Sequence, residues 1–303
     1  MDRRGTIYVL LAGISWGLIG LFSRTLNEVY EPVDMVVIRG IGAAIGFTLI
    51  FLTIDRKAFR INVKDVKYFI GTGIVSFIMM NICYFTCMRI CSLAVSTLRL
   101  YTGPTFVVIM SAIIFKEKMT GTKLLALLMT FAGCVFVTGL LESDVNFSGL
   151  GILLGVCSGF FYGLFSIFGK FVLEKYSSYT LTLYTFILAA MGCIFISDPT
   201  RIFKGFSDPN VVIAAILLIV VGTLIPYTLY SKGLERIESG KASIMATLEP
   251  VVATLISVYL WGERLSVIGI AGILLIIFAV CTLAVSGQKS RGTQHEIGNG
   301  SIK

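Results

Sequence analysis

Laying residues 150–285 over residues 4–139, with one fixed shift of 146, brings like residues together along the whole chain. Trp16-Gly17-Leu18 falls on Tyr162-Gly163-Leu164, and Phe22 falls on Phe168. Ala43, Ala44 and Gly46 meet Ala189, Ala190 and Gly192, and Tyr84 meets Tyr230. Pro104 meets Pro250, Ser111 meets Ser257, and Glu117-Lys118 meets Glu263-Arg264. Because one shift serves throughout, the loops have kept their lengths along with the helices. Such a chain folds as two copies of one module, and repeats of this size in a very apolar sequence are a common construction of membrane carriers.

Of 303 residues, 56% are apolar and 14% charged, against about 25% charged in ordinary soluble domains. A bilayer supplies the apolar solvent that a water-soluble fold of this size lacks, at about 20 apolar residues per helical crossing. Ten runs bounded by charge or turn clusters qualify: 6–26, 35–54, 66–89, 93–115, 123–141, 149–173, 179–197, 211–234, 241–261 and 266–286. The expected fold is an all-α polytopic membrane protein with ten transmembrane helices. It divides into a first five-span repeat at 1–143 and a second at 144–287. The Gly-rich segment 288–303 has no apolar period and reads as a disordered cytoplasmic tail.

Lysine and arginine set the orientation. With a cytoplasmic amino terminus, eighteen of them fall on the inner side, and Arg24, Arg89, Arg201, Lys204 and Arg264 on the outer side. The Asn27–Asp34 loop adds three acids outside. Both termini are therefore expected in the cytoplasm, with the chain in the cytoplasmic (inner) membrane. Since each repeat has an odd number of spans, the second enters from the opposite side, and the repeats are expected to be inverted about an axis in the membrane plane. Two copies in unlike conformations then give outward-open and inward-open states of similar energy.

The net charge of +8 is spread over alternate loops and not gathered on one basic face, which argues against nucleic acid. The single His295 lies in the tail, so no histidine-based catalysis or His-ligated metal is expected, nor any cofactor. All seven cysteines sit in apolar runs, without a disulfide framework. Cys83, Cys87 and Cys91 share a helical stripe, which suits packing better than a soft-metal ladder. The apolar run from Ile7 is too long for a secretory signal, is interrupted by Trp16, and has a repeat partner near residue 160. Gly151, Gly155, Gly159 and Gly163 recur every four residues, a stripe for close helix packing or for a sliding seam.

Two blocks resemble the drug/metabolite transporter superfamily, in particular its ten-span EamA-like members. They run from Tyr101-Thr102-Gly103-Pro104-Thr105 to Lys116-Glu117-Lys118, and from Leu248-Glu249-Pro250-Val251-Val252 to Gly262-Glu263-Arg264. Arg39 followed by Ala43-Ala44 is similar to the family pattern as well. The resemblance covers about residues 5–285 and implies a carrier of small organic solutes with a cavity between its halves. Its blocks say almost nothing about which solute.

Three ionisable residues lie inside spans: Arg39, Arg99 and Glu249. A charge at the bilayer centre costs about 2.5–3.5 kcal/mol on insertion scales, so each is expected to face protein or water. Arg39 and Arg99 are about 7 Å deep at 1.5 Å per residue, shallow enough to snorkel. Glu249 is about 10 Å from the cytoplasmic side on the same rise and too short to reach the surface. Arg99 and Gly103 share a helix face whose repeat partner carries Met245 and Glu249, so Arg99 and Glu249 are expected to approach each other. The pair is either a permanent structural contact or a lock beside the cavity. Alternatively Glu249 serves as a proton site, a role that a neighbouring Arg99 opposes. The remaining candidate binding residues are Trp16, Asn81, Tyr84, Tyr101, Tyr162, Tyr227 and Tyr230, an aromatic wall for a small, partly apolar ligand. Pro104, Pro226 and Pro250 lie within spans and free backbone carbonyls there.

The function expected is a secondary carrier of small metabolites, amino acids or similar zwitterions and anions, working by alternating access as an exporter, either monomer or homodimer. The alternatives are a membrane-embedded lipid-modifying enzyme, or a carrier of cationic drugs or nucleobases. Against the enzyme, the chain has no HExxH, GxSxG, P-loop or paired catalytic carboxylates.

Overall fold

The computed structural model describes residues 2–91, 101–140, 148–196 and 198–299. Arg99 falls outside the described residues, and with it the expected contact to Glu249. Among the described residues, seven helices are long and apolar enough to cross a membrane: α1 (Arg3–Asn27), α2 (Pro32–Ile54), α3 (Val63–Met88), α6 (Gly149–Leu173), α9 (Pro209–Leu234), α10 (Ser239–Trp261) and the Val267–Val285 part of α11. Three shorter apolar helices are α4 (Gly103–Ile114), α5 (Gly121–Val137) and α7 (Ser178–Cys193), and α8 (Pro199–Gly205) is a short connecting helix. Their outward faces are oil: Leu49, Ile113, Leu153 and Leu274 are all exposed. An apolar surface that wide requires a lipid solvent, and the chain is a multi-pass membrane protein. The last helix continues through Asn299, so residues 288–299, offered by the sequence as an irregular tail, are helical in backbone. No proline interrupts residues 286–299, so the helix begun in the apolar run continues through them after the apolar pattern stops.

Contacts between the halves come in exchanged pairs. The first part of α1 packs on Ile225–Leu234 of α9, and its repeat partner α6 packs on the matching Met79–Ile90 helix, which continues α3. α1 lies on Leu248–Trp261 of α10, and α6 lies on α4 in the same way. α2 packs on its own counterpart α7, and α5 on its counterpart α11. Glycine sets how close these crossings are. A Cβ built on Gly17 would lie 2.8 Å from the Glu249 carbonyl oxygen and 2.6 Å from Val252 Cβ. At the repeat-related position, a Cβ built on Gly163 would lie 3.3 Å from the Gly103 carbonyl oxygen. Cys87 seats its thiol on the Gly151 carbonyl at 3.2 Å, a packing contact.

Helical regularity fails at repeat-related places. α3 contains a π-helical stretch at Gly71–Ile78, and α9 contains one at Val220–Leu224. α10 breaks at Thr247, so that Leu248–Trp261 begins afresh with Glu249 in its first turn and Pro250 where no N–H is needed. In hydrocarbon such breaks survive only where the freed groups find protein partners or line a cavity.

Overpacking of this kind costs about 1–3 kcal/mol. Gly17→Leu is therefore expected to lower the thermal unfolding midpoint in detergent by several degrees, because α1 must move off α10. Gly20→Ala, where a Cβ would meet nothing within 4 Å, is expected to leave it unchanged or raise it slightly. Equal midpoints for the two variants would contradict the packing described.

Candidate functional site

Where α1, α2, α3, α6, α9 and α10 converge they leave a cavity of about 340 Å³. Seven of the residues singled out from sequence line it: Trp16, Arg39, Asn81, Tyr84, Tyr162, Tyr227 and Glu249. Tyr230 does not. It is buried behind Trp16, its ring 5.3 Å from the indole, and its hydroxyl is 2.8 Å from Ser166 Oγ beside a second void of about 20 Å³. Tyr101 is half-buried and packs against the core cluster beside α5, outside the cavity lining. The cavity reaches the surface at the end of α1 and the start of α2, past Ser23, exposed Asn27 and Pro32.

Arg39 faces the cavity and does not snorkel, and the chemistry of α9 explains why. Pro226 has no N–H, so the carbonyl four residues earlier, Gly222, is left without its helical donor. Arg39 donates to that oxygen at 3.3 Å and to Thr223 Oγ1 at 3.1 Å. Thr223 in turn donates to Leu218 O at 3.2 Å, across the widened π turn. The guanidinium is thus fixed on two sides, with N–H groups left over for a ligand. On α3, Asn81 Nδ2 donates to Phe77 O, in the other π segment, at 2.6 Å.

Glu249 lies on the opposite wall, half-buried, and makes no side-chain hydrogen bond or ion pair among the described residues. Its repeat partner is Gly103, where a Cβ would collide with the Tyr162 ring. At that position the aromatic ring takes the space, while at 249 a carboxylate takes it. No ion pair joins Arg39 and Glu249, so both charges remain available to the cavity. Tyr227 anchors the aromatic wall, meeting Trp16 edge-on at 5.5 Å, Phe165 at 5.2 Å and Phe186 at 4.8 Å.

Several lining residues escaped the sequence reading, including Gly20, Ser23, Asn27, Met35, Met80 and Met88. The signal was present: Trp16, Gly20, Ser23 and Asn27 follow a helical stripe, as do Met80, Tyr84 and Met88.

The end of the molecule away from this mouth carries an ionic network. Glu117 accepts the Ser239 N–H at 2.7 Å and the Gly240 N–H at 3.2 Å, capping the start of α10. Lys123, with 1% of its side chain exposed, bridges Glu117 at 3.3 Å and Glu238 at 2.7 Å, and Lys241 pairs with Glu238 at 3.0 Å. Lys170 donates to the carbonyls of Leu234 and Ile237 at 2.8 and 3.2 Å. Burial pushes the Glu238 carboxyl upward, but hydrogen bonds from Lys123 and Lys241 outweigh it and hold it below the ordinary carboxylate range. A depressed value means that these ion pairs are intact above the ordinary range and are lost as pH falls through the lowered one. Glu263, the repeat partner of Glu117, is exposed and carries no side-chain bond among the described residues. At the open end, buried Asp34 takes a 2.8 Å hydrogen bond from Arg201, so this member of the acidic loop is neutralised and not free.

Known proteins place these features in a family. A crystal structure, 17% identical and covering 95% of this chain and 99% of its own, superposes with a TM-score of 0.80 and shares the fold. An uncharacterized transporter of Archaeoglobus fulgidus is 26% identical over 276 residues, 90% of this chain and 96% of its own. The uncharacterized inner membrane transporter YicL of Salmonella typhimurium is 22% identical over 293 residues, 95% of this chain and 97% of its own. GDP-fucose transporter 1 of Dictyostelium discoideum is 29% identical over 185 residues, 57% of this chain and 48% of its own. The EamA-like transporter family matches twice, over residues 3–139 and 149–285, and the chain belongs to that family.

Proposed function

We propose that the protein is a secondary carrier, and not an enzyme, that exports small zwitterionic or anionic metabolites across the cytoplasmic membrane by alternating access. The observation that carries this reading is the pair of opposite charges, Arg39 and Glu249, unbonded to each other on the walls of one aromatic-lined cavity. A solute carboxylate meets the free N–H groups of Arg39, an ammonium meets Glu249, and an apolar body lies against Trp16 and Tyr162. The volume of about 340 Å³ lies at the small end of ligand sites and suits a metabolite of amino-acid size.

Ten crossings in two inverted repeats are the topology of this proposal. Each of the three shorter apolar helices is the repeat partner of a longer one: α4 of the second part of α10, α5 of the Val267–Val285 helix, and α7 of α2. Paired contacts exchanged between halves are what a two-fold relation produces. Five spans per half turn that axis into the membrane plane, and the lysine and arginine bias puts both termini in the cytoplasm. The cavity then opens outward, and the Glu117 network closes the cytoplasmic end. The difference between bonded Glu117 and unbonded Glu263 is read as the mark of one state, to be exchanged in the other. Protons are a candidate coupling ion through Glu249. The name of YicL fits the membrane proposed. The GDP-fucose relative matches over about half of each chain and bears on transport, not on this solute.

Reconstituted protein is expected to show saturable uptake and counterflow of amino-acid-like zwitterions. Arg39→Lys keeps the charge but loses the two-sided hold, and a rise in KM of about tenfold is expected, the worth of one charge-assisted hydrogen bond. Glu249→Gln is expected to shift preference toward solutes that carry a carboxylate without an amine. Wild-type protein that ignores zwitterions, or turns over lipid without solute flux, would contradict the proposal.

Closure is tested separately. In a background without the seven cysteines, a cysteine placed at Ser166 reports access from the end that carries the amino terminus. Glu117→Ala uncaps α10 and is expected to raise its labelling by an impermeant maleimide several-fold, and an unchanged rate would remove the network from the gating account.

A further inference from the structure

Outside the central cavity, a lateral trough of about 380 Å³ runs between α2 and α9 on the face turned to lipid. Its walls are apolar, with Phe51 and Ile54 on one side and Leu224 and Leu229 on the other, and Ile54 is 70% exposed. One end is different. There Lys232 donates to Tyr179 Oη at 2.9 Å and lies 4.7 Å from the centre of that ring. Lys232 is half-buried and has no carboxylate within ion-pair distance among the described residues, so it uses one of its three N–H donors on protein. An ammonium at the edge of hydrocarbon without a counter-ion is costly, and the trough holds none.

Dimensions and position indicate what supplies it. From the π turn at Val220 to Lys232, α9 climbs about 18 Å at 1.5 Å per residue. That is close to one leaflet of a core about 30 Å thick. The trough therefore begins near the midplane, where the π turn widens α9, and ends at the interface with a cation. The interface in question is the one beside the amino terminus, since Arg236, one turn beyond Lys232, pairs with Asp2 at 3.0 Å. Exposed Arg56 follows Ile54 on the same side. The repeat partners of Lys232 and Tyr179 are Thr86 and Val33, so the corresponding position facing the other leaflet carries neither cation nor phenol. A generic groove of the fold would be duplicated, and this charged one is not.

We propose that the trough is a binding site for one anionic phospholipid of the leaflet beside the chain termini. Its phosphate sits on Lys232 and Tyr179, and an acyl chain lies along Phe51, Leu224 and Leu229. The lipid braces α2, which carries Arg39, against the helix that holds Arg39. Naming that leaflet cytoplasmic rests on the orientation proposed above, whereas the binding itself does not.

The test uses full-length protein in detergent, with dioleoyl phosphatidylglycerol and dioleoyl phosphatidylcholine compared by native mass spectrometry and thermal shift. Wild-type protein is expected to retain phosphatidylglycerol about fivefold better than phosphatidylcholine, the preference one near-surface lysine provides. Lys232→Gln is expected to bring it down to the phosphatidylcholine level. Lys232→Arg should keep the preference, and exposed Lys57→Gln should leave it untouched. Leu229→Trp fills the trough without touching the charge and is expected to lower retention of both lipids. No preference in wild type, a preference that survives Lys232→Gln, or unchanged retention in Leu229→Trp would each overturn the site.

Discussion

Within hydrocarbon, an open backbone hydrogen bond has no water to turn to, and this constraint organises the molecule. Pro226 takes a donor out of α9, Gly222 is left with a bare carbonyl, and Arg39 of α2 closes the account with a guanidinium. A residue too polar for lipid and a backbone too irregular for lipid satisfy each other across two helices. Neither is stable in the membrane alone. The cavity forms at their meeting point because a π turn widens α9 and a break at Thr247 turns Glu249 inward.

Duplication explains the architecture, and departures from it locate the chemistry. Gly17 and Gly163 both lie against carbonyls of the facing helix, which fixes two equivalent crossings. At the next pair the copies differ: Gly103 yields its space to Tyr162, while Glu249 puts a carboxylate into the cavity. Glu117 is half-buried and bonded while Glu263 is exposed and unbonded among the described residues, although the flanking sequence is alike. The first difference is written in the residues and is permanent. The second is a difference of environment between like residues, the kind that the proposed alternating access would exchange between its two states.

Much of this was legible in the sequence. Hydropathy marked the apolar helices, seven of them long enough to cross a membrane among the described residues, because burial in lipid depends on composition more than on detail. The single shift of 146 paired the helices that exchange contacts. Seven of the ten candidate site residues line the cavity, because charged and polar side chains inside apolar runs have few other places to go. What sequence did not carry was depth and partner. Arg39 looked shallow enough to reach water, and only the geometry of Gly222 and Thr223 shows it turned inward. Tyr230 and Trp16 belong to repeat-related stripes alike, yet one ring lies behind the other, a matter of packing that no spacing records. The closing network around Lys123 was invisible for a similar reason: Glu117, Lys123 and Glu238 belong to different segments, and the fold alone brings them together.

Under the proposed alternating access, one cavity serves both faces of the membrane, closed at one end whenever it is open at the other. Distances between spin labels test this most directly, one pair spanning the mouth at Ser23 and Met88 and another spanning the shut end at Lys118 and Arg236. In lipid nanodiscs two populations are expected for each pair, and a transported solute should shift them in opposite directions. Labels that show one unchanging distance at both ends, with solute flux intact, would contradict it.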